Sequence, residues 1–341
     1  MRATQLNTYG VSDFKATALE LPALRPNEVL INLTAASLNA IDLMVIQGYF
    51  PGMPLPFIPI CDGAGVVSAI GNDVSGIEVG ARVIPHFMPD WVDGPLTPKK
   101  TQRKRGVTMM GSLADYIAVP MDAIVDTPAF LSDKEASTLP IAATTAWRAI
   151  RDGRVGPGSI VVLLGTGVVS LFALQLAKAA GAYVIVTSAS DEKLEMAKRH
   201  GADVQINYMS NPGWASVVMD VTNGQGADVI VETGGAGTFA QSISAIRPNG
   251  TILAIGVLTG HELSVNAYEL LQKQIVIRGI STGSVADLKQ AVAALERNAI
   301  HPIIDSVLDR ENVGEAIGRL ISGQAFGKVV LEAKTPTSFK S

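Results

Sequence analysis

The sequence predicts an α/β chain: a doubly wound parallel sheet joined to a β-rich domain. Three observations carry this expectation. Residues 159–193, SIVVLLGTGVVSLFALQLAKAAGAYVIVTSASDEK, read as strand, glycine turn, helix, strand and helix start with almost nothing left over. From about Ser132 to Ser281 strand and helix patterns alternate regularly. Residues 1–125 instead hold short β-rich runs, many prolines and turns such as Gly71-Asn72-Asp73.

In chain order, the first domain offers strands around Glu28–Leu33 and Gly65–Ala69 and a short helix starting at Ala40. Six runs in the centre read as buried strands: Ile160–Leu164, Tyr183–Thr187, Val204–Ile206, Val229–Val231, Ile252–Ile255 and Ile275–Ile280, with helix-period segments between them. The tail adds a helix near Val285–Arg297, a strand near Ile304–Leu308, a helix near Val313–Ser322 and a strand Lys328–Leu331, and is expected to return to the first domain. The expected domains are therefore 1–126 with 282–341, and 127–281.

The glycine turn carries chemistry. Gly165 and Gly167 let the backbone turn sharply and approach a pyrophosphate, and the helix that follows presents free N–H groups and its positive dipole end to the anion. Thr166, Val168 and Val169 share that turn and helix start. No charged residue occurs between Arg154 and Lys178, a window long enough to span a bilayer. Two glycines break the run, Ile160–Leu164 is a strand signal, and a buried parallel strand with its packed helix explains the same hydrophobicity.

With 341 residues the chain accommodates two domains with real cores. A net charge of −4 argues against nucleic acid or an anionic membrane as partner. The single cysteine, Cys61, excludes an internal disulfide. The start MRATQLNTYG lacks an apolar h-region, so a cytoplasmic protein acting on a small-molecule substrate is expected.

Several segments carry a family resemblance: Asn39-Ala-Ile-Asp42, CDGAGVVSAIGNDVSGIEVGARV at 61–83, GSLADY at 111–116, PIAATTAW at 140–147, GTGVVS at 165–170 and AFGKVVL at 325–331. The chain resembles the medium-chain dehydrogenases/reductases, in particular the zinc-free quinone oxidoreductase-like and alcohol dehydrogenase-like branch. The resemblance implies a GroES-like β-rich catalytic domain beside a Rossmann domain, and a homodimer pairing sheet edges near Ile275–Ile280. It also implies cofactor contacts at Thr145, Thr233, Gly256, Val257 and Lys328. For Thr145, a helix-start hydroxyl satisfying backbone is the competing reading.

Zinc-dependent relatives place a cysteine where this chain has Asn39 and a Gly-His-Glu motif where it has Ile60-Cys61-Asp62. Cys61 and Asp62 alone do not make a three-ligand site, and His86, His200, His261 and His301 are scattered without ligand spacing. The relatives' four clustered cysteines have no counterpart in Met88–Met110, which excludes a structural zinc. No metal is expected, and Cys61 reads as a small buried hydrophobe rather than a nucleophile.

About twenty residues past the glycine turn, NAD-preferring proteins place a carboxylate on the ribose 2′-hydroxyl. Here the run is Thr187-Ser188-Ala189-Ser190, which favours NADP(H), with Ser188 and Lys193 as phosphate contacts. By resemblance, Tyr208 belongs to a second contact to the same group. In the competing reading Ser190 or Asp191 caps the next helix and Lys193 is solvated. Ser170 replaces the third glycine of the fingerprint in a packing role.

Without a metal, removing an alcohol proton lacks an evident base, whereas reduction of a conjugated acceptor needs only hydrogen-bond donors. The expected activity is hydride transfer from NADPH to a quinone, enone or related conjugated carbonyl. The alternatives are a metal-free alcohol or aldehyde oxidoreductase and a non-catalytic NADPH-binding protein. Tyr49 is the candidate proton donor, against the reading of a half-buried aromatic flanking a proline loop. Asn39 would orient ribose or substrate, or else cap the helix at Ala40. Asp42 and Asp62 read as structural acceptors. Phe87, Trp91 and the methionines of segment 86–110 are candidates for an apolar pocket or lid, and Lys99, Lys100, Arg103, Lys104 and Arg105 for a solvated loop.

Overall fold

The computed structural model describes residues 1–10, 13–50 and 54–333. The chain divides into two compact units, Thr145–Thr282 and Met1–Thr144 with Gly283–Ser341. The first boundary thus lies beyond the 126/127 junction expected from sequence, because the helix Asp133–Ala136 packs on strands 28–37 and 62–70 of the first unit.

Among the described residues, the Thr145–Thr282 unit holds six strands, all paired in parallel. Their order is Val204–Asn207, Tyr183–Ser188, Ile160–Leu163, Ala227–Glu232, Ile246–Ala254 and Val276–Gly279. All six expected strands are present. The chain starts the sheet at Ile160–Leu163 and builds outward in both directions, so the order reverses beside that strand and opens a crevice at its carboxyl end. Val161, Val162 and Leu163 are fully buried, as befits a strand covered on both faces. The helix Val168–Ala179 follows directly and buries Leu171, Phe172, Leu174 and Leu176, which accounts for the long uncharged run. No helix among the described residues is long and apolar enough to cross a membrane.

In the other unit, Glu28–Ser37 is the hub. It pairs antiparallel with Asp62–Ile70, Tyr116–Pro120 and Lys328–Glu332. The last of these comes from the tail, and Ile304–Asp309 extends the sheet beyond it. The tail helices Val285–Arg297 and Val313–Ile321 are both present. Arg82–Pro85 and Ile124–Asp126 close the far side.

Segment 86–110 corrects one expectation. Phe87, Met88 and Trp91 are not a lid; they are buried in one apolar cluster with Leu38, Ile58, Ile60, Cys61 and Val107. Trp91 and Val92 offer their carbonyls to the amides of Val285 and Ala286, so the segment also anchors the start of the tail helix.

Candidate functional site

The glycine turn is built as its chemistry requires. Gly165 has φ +73°, a left-handed conformation that disfavours any side chain. Gly167 is different: its φ is −75°, and a Cβ added to it would meet no atom of the protein within 4 Å. The space in front of that backbone is empty of protein atoms, so a group can approach it from outside. Gly167 is the exposed N-cap of a 12-residue helix, has no side-chain cap, and leaves the first-turn amides free of intrahelical partners. Val168 and Val169 form that first turn and are half-buried. A pyrophosphate fits this cradle.

Neighbouring strand ends complete it. Ser170 sends its hydroxyl to the Leu164 carbonyl at 2.9 Å, and Thr233 reaches the same carbonyl at 2.6 Å, fixing the strand exit just before the turn. The Ser170 replacement therefore keeps its packing role. The Gly165 amide donates to Thr187 Oγ1 at 3.1 Å, and the Thr166 and Ser188 hydroxyls lie 3.2 Å apart. Gly256 passes so close to Thr233 that a Cβ would stand 1.9 Å from the Thr233 carbonyl oxygen. Val257 follows it, half exposed.

A residue missed from sequence holds this edge together. Glu232, fully buried at the end of strand 227–232, accepts the Gly234 and Gly235 amides at 2.8 and 3.0 Å. It also accepts the hydroxyls of Thr238 and Ser242. The apolar run Val229–Val231 ending in Glu-Thr-Gly-Gly, with hydroxyls six and ten residues on, was the available signal.

At the expected phosphate pocket the Ser188 hydroxyl is buried, shared with Thr166 and accepting the Ser190 amide at 3.3 Å. Ser190 caps the helix Asp191–Arg199 through the Lys193 amide at 3.2 Å, a backbone bond that leaves the Lys193 side chain to other contacts. Tyr208 is half exposed, with its amide on the Ser188 carbonyl. Asn207 donates to the exposed Asp191 carboxylate at 2.6 Å. Thr145 is buried in the first turn of the helix Thr144–Asp152.

In the other unit the structure gathers Asn39, Asp42, Cys61, Asp62 and Lys328 into one buried network. The Lys328 ammonium, wholly enclosed, donates to Leu38 O at 3.0 Å, Asn39 Oδ1 at 2.8 Å and Asp62 Oδ2 at 3.2 Å. Its three N–H groups are spent. Lys328 is therefore the cation of this network. Asn39 also donates from Nδ2 to Asp62 Oδ2 at 2.9 Å. It occupies the N-cap of the helix Ala40–Ile46, where Asp42 accepts its backbone amide at 2.7 Å and the Cys61 amide at 2.8 Å. Tyr49 stands apart, 68 % exposed, and the Pro51 of its loop lies outside the described residues.

Electrostatics follow burial. Burial pushes the Asp42 carboxyl up to about 6, against the pull of hydrogen bonds from Cys61 and Asn39. Burial also raises Asp62, opposed by the Lys328 charge and the Asn39 amide. The Cys61 thiol is driven well up by burial and by Asp42, so it is a neutral thiol at physiological pH. Burial lowers His86 to about 4, leaving a neutral imidazole.

The comparisons with known proteins agree with this geometry. The alcohol dehydrogenase GroES-like domain family matches residues 25–129, and the zinc-binding dehydrogenase family residues 168–297. A zinc-type alcohol dehydrogenase-like protein of Schizosaccharomyces pombe is 41% identical over 332 residues, 95% of this chain and 96% of its own length. The chain belongs to the medium-chain dehydrogenase/reductase superfamily, alcohol dehydrogenase-like. A tomato (Solanum lycopersicum) 2-methylene-furan-3-one reductase is 30% identical over 345 residues, covering 97% of this chain and 79% of that protein. The crystal structure of an NAD-dependent alcohol dehydrogenase superimposes with a TM-score of 0.88 at 32% identity, covering 97% and 99% of the two chains. This chain is accordingly an oxidoreductase with a nicotinamide cofactor.

The family also implies zinc, and the residues present do not fit it. Asn39 and Asp62 are bonded to each other and to the Lys328 ammonium, and Cys61 is a neutral thiol. Among the described residues no three His, Cys, Asp or Glu side chains are placed to hold a metal ion.

Proposed function

We propose that this oxidoreductase works without zinc and transfers hydride from NADPH to a quinone, enone or related conjugated carbonyl. The observation that carries the reading is the Asn39–Asp62–Lys328 network, in which the ammonium already neutralises the carboxylate. Oxidising an alcohol requires a base or a Lewis acid for its proton; here Asp42 accepts two backbone amides and Asp62 Oδ2 accepts from Asn39 and Lys328, while the buried Asp62 Oδ1 has no partner among the described residues. A conjugated acceptor asks less, since hydride adds to an activated carbon and the developing enolate needs only donors. NADPH would supply the hydride. The Gly165–Val169 turn would hold its pyrophosphate, with Thr145, Thr233, Gly256 and Val257 nearby. Tyr49, exposed to solvent, is the proposed proton source. The tomato reductase, by its name an enone reductase, supports the acceptor class.

The preference for NADPH rests on the uncharged end of strand 183–188 and on Asp191 being tied to Asn207. A Ser188→Asp, Lys193→Ala double variant should weaken NADPH binding at least tenfold more than NADH binding, about 1.4 kcal/mol of selectivity. Equal losses for both cofactors in fluorescence titrations would remove the proposed phosphate pocket.

The relatives named alcohol dehydrogenases favour a second reading, a metal-free alcohol or aldehyde oxidoreductase. A panel of quinones, enones, aldehydes and alcohols followed at the nicotinamide absorbance separates the two. Turnover of enones or quinones is expected, and turnover of saturated aldehydes and alcohols alone would overturn the first reading. NADPH binding with no turnover at all would point to a non-catalytic binding protein. We further place the protein in the cytoplasm as a homodimer. The dimer is supported by the edge strand Val276–Gly279, exposed along its whole length.

A further inference from the structure

One carboxylate stands beside the proposed 2′-phosphate pocket and is turned away from it. Asp191 opens the helix Asp191–Arg199 shortly after Ser188 and is exposed. Its Oδ1 accepts Asn207 Nδ2 at 2.6 Å. Asn207 ends the strand Val204–Asn207 and pairs in register with Ser188 on the neighbouring strand. Neighbouring strands lie about 4.8 Å apart, so the carboxylate is anchored to a residue only one strand away from the one expected to meet the ribose substituent.

The direction of this hold follows from the strand order. The glycine turn leaves the strand Ile160–Leu163, and a dinucleotide seated on it extends towards the end of the adjacent strand Tyr183–Ser188. The strand that carries Asn207 lies beyond, at the edge of the sheet. Asn207 therefore draws the Asp191 carboxylate to the side away from the turn.

The aim of Asn207 is itself fixed. Its Oδ1 accepts the Met209 amide at 2.9 Å, which orients the side-chain amide and leaves Nδ2 as the donor to Asp191. Its backbone carbonyl accepts the Asn211 amide at 2.9 Å, so the same short loop that locks the asparagine also locks the carboxylate.

We propose that Asn207 is a positioning residue for cofactor selectivity, setting the choice between NADPH and NADH by keeping the Asp191 carboxylate off the ribose 2′ position. The inference rests on the NADPH reading above. Released from Asn207, Asp191 acts on the two cofactors with opposite sign. A carboxylate at the ribose accepts a hydrogen bond from the 2′-hydroxyl of NADH, whereas it repels a 2′-phosphate, which carries a charge of roughly −1.5 to −2 at neutral pH. An asparagine that served only its own turn would weaken both cofactors alike when replaced.

The test is a double-mutant cycle on the whole protein with Asn207→Ser and Asp191→Asn, reading the dissociation constants of NADPH and NADH by fluorescence titration. Serine keeps a hydroxyl for the Met209 amide but is too short to hold Asp191. Asn207→Ser should shift the ratio of the two constants towards NADH by about tenfold, the scale of one charge contact near a protein surface, with NADPH weakened and NADH not weakened. In the Asp191→Asn background the same change should shift the ratio by less than about twofold, because the charge that Asn207 restrains is gone. The shift should also shrink in about 1 M salt, as the repulsion of exposed charges is screened. Equal weakening of both cofactors by Asn207→Ser, or an equal ratio shift with and without the Asp191 charge, overturns the proposal and leaves Asn207 a turn residue. A wild type that binds NADH more tightly than NADPH while the coupling to Asp191 persists sinks the NADPH reading alone. A wild type that prefers NADPH without that coupling sinks the Asn207 assignment alone.

Discussion

Replacing Lys328 by Met is expected to cost about 3–5 kcal/mol of folding stability at pH 7, the range found when one partner of a buried ion pair is removed. Asp62 and Lys328 are both fully enclosed, and the ammonium is also the donor to Leu38 O and Asn39 Oδ1. Removing it leaves a buried carboxylate and two acceptors without their cation. The deficit should depend on pH in a defined direction. Asp62 already titrates above its ordinary value because burial outweighs the Lys328 charge, and loss of that charge raises it further. A carboxyl whose folded-state pKa exceeds its unfolded value contributes most below the unfolded pKa, and loses that contribution as pH rises through the folded one. Urea unfolding should therefore show a smaller gap between variant and wild type at pH 5 than at pH 8, and adding Asp62→Asn should recover part of it. A gap that widened on acidification would mean that Asp62 is not the group left uncompensated.

The second large effect concerns Glu232. In Glu232→Ala two backbone amides and the Ser242 hydroxyl lose their acceptor inside the protein, at about 1–3 kcal/mol for each group left unsatisfied, while the Thr238 hydroxyl keeps the Gly235 carbonyl at 3.2 Å. A loss of roughly 4 kcal/mol is expected, corresponding to a melting temperature lower by about 10 °C. NADPH affinity should fall as well, since the freed turn adjoins Thr233, whose hydroxyl fixes the strand exit before Gly165. Glu232→Gln retains an acceptor for the amides and should lose less. Melting curves with and without NADPH check both statements, and a Glu232→Ala protein within about 1 kcal/mol of wild type would show that these bonds are replaceable by water.

Much of the fold was legible because its signals are local. Apolar strand runs alternating with helix-period segments gave all six strands of the parallel sheet, and the glycine turn marked where they converge. The network around Lys328 was less legible. Its partners Asn39 and Asp62 lie far along the chain, and nothing near Lys328 in sequence announces that its ammonium is enclosed. Glu232 looked like any charge at a strand end. Arg105 is buried, yet it sat among four other cations, and charge patterning cannot tell which one of five the backbone turns inward. Trp91 and Phe87 read as the lining of a pocket or a lid because apolar residues in a long connection suit a pocket, a lid and a core equally well. In each case the missing information was tertiary: which groups meet across the chain.

Gly167 carries a consequence of another kind. Alanine at Gly167 would meet no atom of the protein and would cost the fold only the difference between two N-cap residues, so the larger penalty would fall on a group bound against that backbone. A lineage that ceased to need its coenzyme would lose binding here while still producing a well-folded, abundant protein. The route from enzyme to bystander is open at one codon.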